Sequence, residues 1–187
     1  PFMPAPEPRA FYPASGHVGG FNGGVNLFNI AALYMAYDIA RRLQVGRDKF
    51  RLDVVGKVCD FAPNRAFINK RGFVDDPADP FLEWSYSLCT IPAATGQNIK
   101  VTEALSRGCP VVTFGKIARD TFVIDGVNGI VVNGQKQCFD AVSSLYHDND
   151  FYLSIVDNTT KWLADEYIKL QVERDREFSA IFRLRNR

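Results

Sequence analysis

Lys100 and Glu103 stand three residues apart at the start of a stretch with helical periodicity, just behind a small-residue loop that contains Gly96. That spacing puts them on neighbouring parts of one helical face. The loop runs through Gly96, Gln97, Asn98 and Ile99 and delivers unpaired backbone N–H groups to a helix N-terminus. There the helix dipole adds to their pull on a negatively charged oxygen. Gly96 lets the main chain approach a ligand without a Cβ in the way, and Lys100 adds a point charge that can neutralise a phosphate oxygen. The chemistry is anion binding. The same residues also read as an ordinary strand-to-helix turn with a solvated glutamate and a surface lysine, so the surroundings must decide.

Those surroundings include the densest glycine cluster of the chain, Gly16-His17-Val18-Gly19-Gly20-Phe21-Asn22-Gly23-Gly24. Its spacing is not the dinucleotide fingerprint, so a dehydrogenase gains nothing from it. A third loop, Gly72-Phe73-Val74-Asp75-Asp76, closes another apolar run. Asp75 and Asp76 lack a third ligand nearby and read as a solvated turn rather than a metal site. Asp125-Gly126-Val127-Asn128-Gly129 is turn chemistry.

The elements that must position these residues follow from periodicity. Strands are predicted over 10–14, 50–55, 65–70, 88–91, 111–114 and 130–132, and helices over 26–43, 80–86, 99–107 and 135–147. Residues 115–123 read as a polar turn. In the first helix Ile30, Leu33, Tyr34, Tyr37 and Leu43 form the expected apolar stripe. Strands alternating with helices predict an α/β fold, a Rossmann-like doubly wound parallel sheet with right-handed crossovers. Ligands in such sheets bind beyond the carboxyl ends of the strands. The loops at 16–22, 72–76 and 95–99 all follow apolar runs and can share that edge. The tail over 150–187 is helical and partly amphipathic. It suits either closing this domain or crossing to another.

Composition sets the outer limits. The 187 residues, 47% hydrophobic and 13% aromatic, suit one globular domain. Residues 1–9, rich in proline, read as a linker or start, and 10–187 as a single domain. A net charge of +1 supplies no global field for nucleic acid. Two histidines and four widely spaced cysteines offer no metal cluster or disulfide framework, and point to a reducing compartment. No apolar stretch nears the ~20 residues that span a bilayer.

The string Gly96-x-x-x-Lys100-x-x-Glu103-Ala104-Leu105-x-x-Gly108-x-Pro110-Val111-Val112, followed by Asp125-Gly126-x-Asn128-Gly129, resembles the C-terminal, donor-binding half of a GT-B glycosyltransferase. More narrowly, it resembles the retaining enzymes of glycosyltransferase family 4, from Tyr12 to the end. The resemblance implies that Glu103, the second of the family's paired glutamates, binds the ribose hydroxyls of a sugar nucleotide; two acceptor oxygens suit a vicinal diol. Thr95 stands where the first glutamate would be. A hydroxyl there makes one bond and brings no charge, as in branches that carry a small residue followed by Gly-x-x-x-Lys. Gly16, His17, Gly19 and Asn22 fall in the loop that meets the diphosphate. His17 and Asn22 replace the family's cationic pair, which leaves less charge stabilisation. Phe73 and Val74 match the segment that meets the nucleotide base through its backbone; strand-end packing is the plainer account.

These parts lead to a set of expectations. The domain binds a UDP- or GDP-sugar without a metal or other cofactor, and His17, Lys100 and Glu103 carry the chemistry. Thr95, Gly96, Gln97, Asn98, Ile99, Gly16, Gly19, Asn22, Phe73 and Val74 complete the donor site. An N-terminal GT-B domain of similar size, absent here, brings the acceptor, which is a glycan, lipid or small molecule. Sugar is transferred with retention, and this piece alone transfers none. The expected location is cytoplasmic, at most peripheral at the inner face of a membrane. The alternative is a degenerate, non-catalytic domain of the same fold used for nucleotide binding or assembly. A sugar-nucleotide epimerase would need acid/base carboxylates that the sequence does not place.

Overall fold

The computed structural model describes residues 18–44, 50–75, 79–91 and 98–185. The strand expected over 10–14 lies outside them. Six strands form one parallel sheet: β1 (Val18–Asn22), β2 (Arg51–Val55), β3 (Ile68–Gly72), β4 (Tyr86–Cys89), β5 (Val111–Phe114) and β6 (Gly129–Val132). Their order is β3-β2-β1-β4-β5-β6. The helices are α1 (Leu27–Leu43), α2 (Asp79–Glu83), α3 (Ile99–Ser106), α4 (Gly115–Arg119), α5 (Gln135–His147) and α6 (Asn149–Arg185), with a 3₁₀ turn at Lys57–Phe61. The doubly wound sheet is the expected one.

Strand order reverses direction between β1 and β4. From β1 the chain moves through α1 to β2 on one side; from β4 it moves through α3 to β5 on the other. Right-handed crossovers therefore put α1 and α3 on opposite faces of the sheet. Their N-termini flank a crevice at the carboxyl ends of β1 and β4, the place where such sheets bind ligands.

Local chemistry explains the elements. Asn26 caps α1, its side-chain oxygen accepting the Asn29 N–H at 2.8 Å, and Arg41 and Arg42 complement the dipole in the last turn. The buried stripe of α1 keeps Leu33 and Leu43 from the expected set, with Ile30 partly buried against the core, but is otherwise built of smaller residues. Ala32, Leu33, Ala36, Ile39, Ala40 and Leu43 face the core, while Tyr34 is half exposed. Alanines let the helix sit close to the sheet, and the larger aromatic is displaced to the flank. In α6, Tyr152, Ile155, Thr159 and Leu163 are buried at helical spacing, so its first half closes this domain.

The stretch over 16–22 requires a correction. Its described part is not a loop but strand β1, and Gly19 lies inside the sheet. The turn comes later, at Gly23 and Gly24. A Cβ on Gly19 would stand 2.8 Å from the Phe50 ring, and one on Gly20 would overlap the Trp84 indole. These glycines make room for neighbours' rings rather than shaping a turn, a recognised use of glycine in strands. Boundaries also shift elsewhere: β3 begins at Ile68, β4 spans Tyr86–Cys89 and α2 ends at Glu83. The polar turn after β5 contains the short helix α4.

One buried charge cluster lies away from the crevice. Asp53, fully buried in β2, accepts from Arg51 Nε at 3.0 Å and Asn69 Nδ2 at 3.3 Å, and lies 3.7 Å from Arg71. Arg71 in turn makes a two-pronged pair with Glu83 at 2.8 and 3.0 Å. The network ties edge strand β3 to β2 and α2.

Candidate functional site

The glycine turn at the carboxyl end of β1 is held from below. Gly23 N–H donates to the Val55 carbonyl and Val58 N–H to the Gly23 carbonyl, both at 3.1 Å. Gly56 approaches that turn so closely, at φ 89°, that no side chain fits. The first turn of α1 follows, and Asn29 is buried within it. The Asn29 amide nitrogen donates to the Gly24 carbonyl at 3.0 Å, which turns its oxygen toward the crevice.

Lys100 fills the crevice from the opposite face. From the first turn of α3 its Nζ donates to the Asn22 carbonyl at 3.1 Å and to Asn29 Oδ1 at 3.0 Å. It stands 5.8 Å from the centre of the Phe21 ring. Burial pushes its pKa below the ordinary 10.5, offset in part by the Cys89 thiol. Both hydrogen-bond partners are neutral oxygens, and an ammonium has three protons to give. Among the described residues no carboxylate pairs with it, so Lys100 brings a positive charge to the sheet edge, beside the N-termini of two helices. The surface-lysine reading does not hold.

Asn22 contributes through its backbone carbonyl. Glu103 is half-buried on the same flank of α3 as Lys100, and its carbonyl accepts from the Ser106 hydroxyl at 2.8 Å. Asn98 and Ile99 stand at the start of α3. Asn98 is buried, does not cap the helix with its side chain, and leaves its amide nitrogen unpartnered. Phe73, 82% exposed, and Val74 follow β3 on the same edge, two strands from β1. Gly16, His17, Thr95, Gly96 and Gln97 lie outside the described residues. Asn29 was not among the sequence-derived candidates; its signal was the Asn26-x-x-Asn29 pair after the glycines.

The Asp125 segment is structural. Asp125 accepts the Val131 N–H at 2.8 Å, Gly126 has φ 72°, and buried Asn128 accepts from Ile124 and donates to Phe122. Among the described residues no group of His, Cys, Asp and Glu could hold a metal. No described helix is long and apolar enough to cross a membrane.

Solved structures share the architecture. The C-terminal domain of a glycosyl transferase group 1 family protein (LpcC) from Francisella tularensis aligns with TM-score 0.63 at 18% identity, over 83% of this chain and 87% of that one. Anabaena Alr3699/HepE, solved in complex with UDP, aligns with TM-score 0.70 at 14% identity, over 88% of this chain and 49% of its own. WaaG, a glycosyltransferase involved in lipopolysaccharide biosynthesis, aligns with TM-score 0.61 at 16% identity, over 80% of this chain and 43% of its own. The chain thus spans nearly all of the LpcC domain but about half of HepE. Comparison with curated proteins gives no match. The family described as Glycosyl transferases group 1 matches residues 16–148, across the glycine turn, the crevice and the Lys100 helix, and the chain belongs to that family.

Proposed function

We propose that this domain binds the nucleotide-diphosphate sugar donor of a retaining GT-B glycosyltransferase of the family 4 type, with the pyrophosphate in the β1/β4 crevice. The observation that carries this reading is Lys100: a half-buried lysine at the sheet edge whose Nζ donates to two neutral oxygens. Its third proton and charge suit a phosphate oxygen and the charge that develops on the departing nucleoside diphosphate. Backbone N–H groups at the start of α3 add to it. Glu103, on the same flank, takes the ribose diol, and the Phe73–Val74 backbone takes the base. HepE, which shares the fold, was solved with UDP and with UDP-glucose.

A second domain of similar size completes the enzyme and brings the acceptor. Exposed Leu27, Phe73 and Ile99 at or near the carboxyl ends of the strands support this, because an apolar rim of this kind marks an interaction surface. Closure of two such domains excludes water from the reacting sugar. No metal is required in this reading, and a cytoplasmic location fits it.

The test is calorimetric titration of the full-length protein with UDP, GDP and their sugars. Binding that Glu103→Ala weakens at least about tenfold, the loss of one charged hydrogen bond, supports the reading. Absence of binding to every nucleotide supports instead the degenerate assembly domain, which the replacements at Thr95, His17 and Asn22 favour.

A further inference from the structure

We infer that the step from Asn133 to Gly134 is a site of spontaneous covalent modification, at which the side-chain amide is lost and a carboxylate takes its place. The only co-reactant is water. The Gly134 amide nitrogen attacks Asn133 Cγ and closes a succinimide ring. The bond from Cγ to Nδ2 breaks, and ammonia leaves with the proton that Gly134 gives up. Water then opens the ring at either carbonyl. One opening leaves aspartate, and the other leaves isoaspartate, in which the main chain runs through the side-chain carbon.

Asparagine followed by glycine favours this ring closure, because glycine puts no Cβ in the path of the attack. The chain has three such pairs, beginning at Asn22, Asn128 and Asn133. The fold holds two of them shut. Asn22 ends β1 in register with Val55, and the Gly23 N–H donates to the Val55 carbonyl at 3.1 Å. The nitrogen that would attack is therefore tied down. Asn128 is fully buried, its Oδ1 accepting the Ile124 N–H at 2.7 Å and its Nδ2 donating to the Phe122 carbonyl at 2.9 Å. A Cβ on Gly129 would stand 2.3 Å from the Val111 carbonyl oxygen, so the backbone there has no room to turn.

The third pair escapes both restraints. Asn133 is exposed, in the link between β6 and α5. Among the described residues, its side chain has no hydrogen-bond partner and the Gly134 N–H has no acceptor. The bonds made here involve other groups. The Asn133 N–H donates to Gln137 Oε1 at 2.8 Å, and the Gly134 carbonyl accepts the Cys138 N–H at 2.9 Å. Neither holds the reacting atoms. The product alters the charge at a helix start: α5 has no acidic residue in its first turn, and a carboxylate at position 133 suits the positive end of its dipole.

Ageing the full-length protein in mildly alkaline buffer, then mapping its peptides by mass spectrometry, tests this. Asn133 is expected to convert at least about tenfold faster than Asn22 or Asn128, the effect of one hydrogen bond that must break before the ring closes. In urea all three should convert at similar rates, because the fold alone separates them. Gly134→Ala should abolish the preference for Asn133. It should leave circular dichroism unchanged, since an added Cβ meets nothing within 4 Å and φ is 176°. Asn133→Asp should coelute on ion exchange with the acidic species that accumulates in the aged protein. Three results overturn the inference: native Asn22 or Asn128 converting as fast as Asn133, Asn133 staying intact in the folded chain while all three convert in urea, or indifference to Gly134→Ala.

Discussion

Lys100 Nζ lies 3.0 Å from the side-chain oxygen of Asn29, a residue 71 positions earlier in the chain. The contact joins helices on opposite faces of the sheet and places one cation at the point where strand order reverses. Removing the charge while keeping the length should therefore affect the ligand more than the fold. Lys100→Met is expected to weaken UDP binding about 10- to 150-fold, the equivalent of 1.5–3 kcal/mol for a charged hydrogen bond. Asn29→Ala should weaken it less, because it only frees the ammonium to move. Calorimetry on both variants checks the order.

The same lysine gives nucleotide binding a pH dependence. Its folded pKa lies below 10.5 because burial disfavours the charge. A bound anion favours the charged form and raises that pKa. UDP affinity should then fall as pH rises through the folded value of Lys100, and the fall should vanish in Lys100→Met. Titrations across that alkaline range decide it.

Buried thiols affect stability in alkali; burial raises Cys59 as well, but Cys89 and Cys138 carry the larger effect. Burial holds the Cys89 thiol up to about 11 and the Cys138 thiol up to about 12, against an ordinary 9.0. Above 9.0 the unfolded chain releases these protons and the folded chain keeps them. The unfolded state then binds fewer protons, so stability falls with rising pH, by about 1.4 kcal/mol per pH unit for each thiol. Lys100 works in the opposite sense over the span below 10.5. Urea midpoints between pH 9.0 and about 11 should show the net loss, and Cys138→Ala should reduce its slope.

Gly20 is a packing glycine. Gly20→Ala would push a methyl group into the Trp84 indole, and overpacking of this kind costs about 1–3 kcal/mol. Gly24→Ala meets nothing within 4 Å and should leave the midpoint unchanged. Denaturation of the two variants side by side separates strand packing from a general intolerance of the glycine cluster.

Asp53→Ala removes the buried carboxylate that Arg51, Asn69 and Arg71 share. The arginines left behind are partly exposed and Arg71 keeps Glu83, so the cost is that of lost hydrogen bonds to a buried group, about 1–3 kcal/mol. Asp38→Ala, which loses the exposed pair with Arg41 and the 3.3 Å hydrogen bond from Gln135 Nε2, should lower the midpoint far less. The midpoints of urea unfolding test the contrast.

Where periodicity and end signals agreed, elements were legible in the sequence. β5 at Val111–Phe114 and α5 at Gln135–His147 lie where the pattern puts them, and α3 ends one residue early. β1 was not legible, because half of its inner surface is supplied by Phe50 and Trp84 rather than by its own side chains. The Lys100–Glu103 pair could be seen as anion chemistry, yet nothing local showed that Lys100 would be half-buried or that Asn29 would hold it.

The sequence by itself determined the alternation of strands and helices, the ligand-facing edge and the residue types available there. Hydrophobic period, caps and glycines act over a few residues and can be read in order. Only the tertiary structure decided that the strand order reverses between β1 and β4, and that α1 and α3 meet through the Lys100 ammonium. Those facts depend on which distant segments share a dielectric and a surface, and no local pattern carries that information.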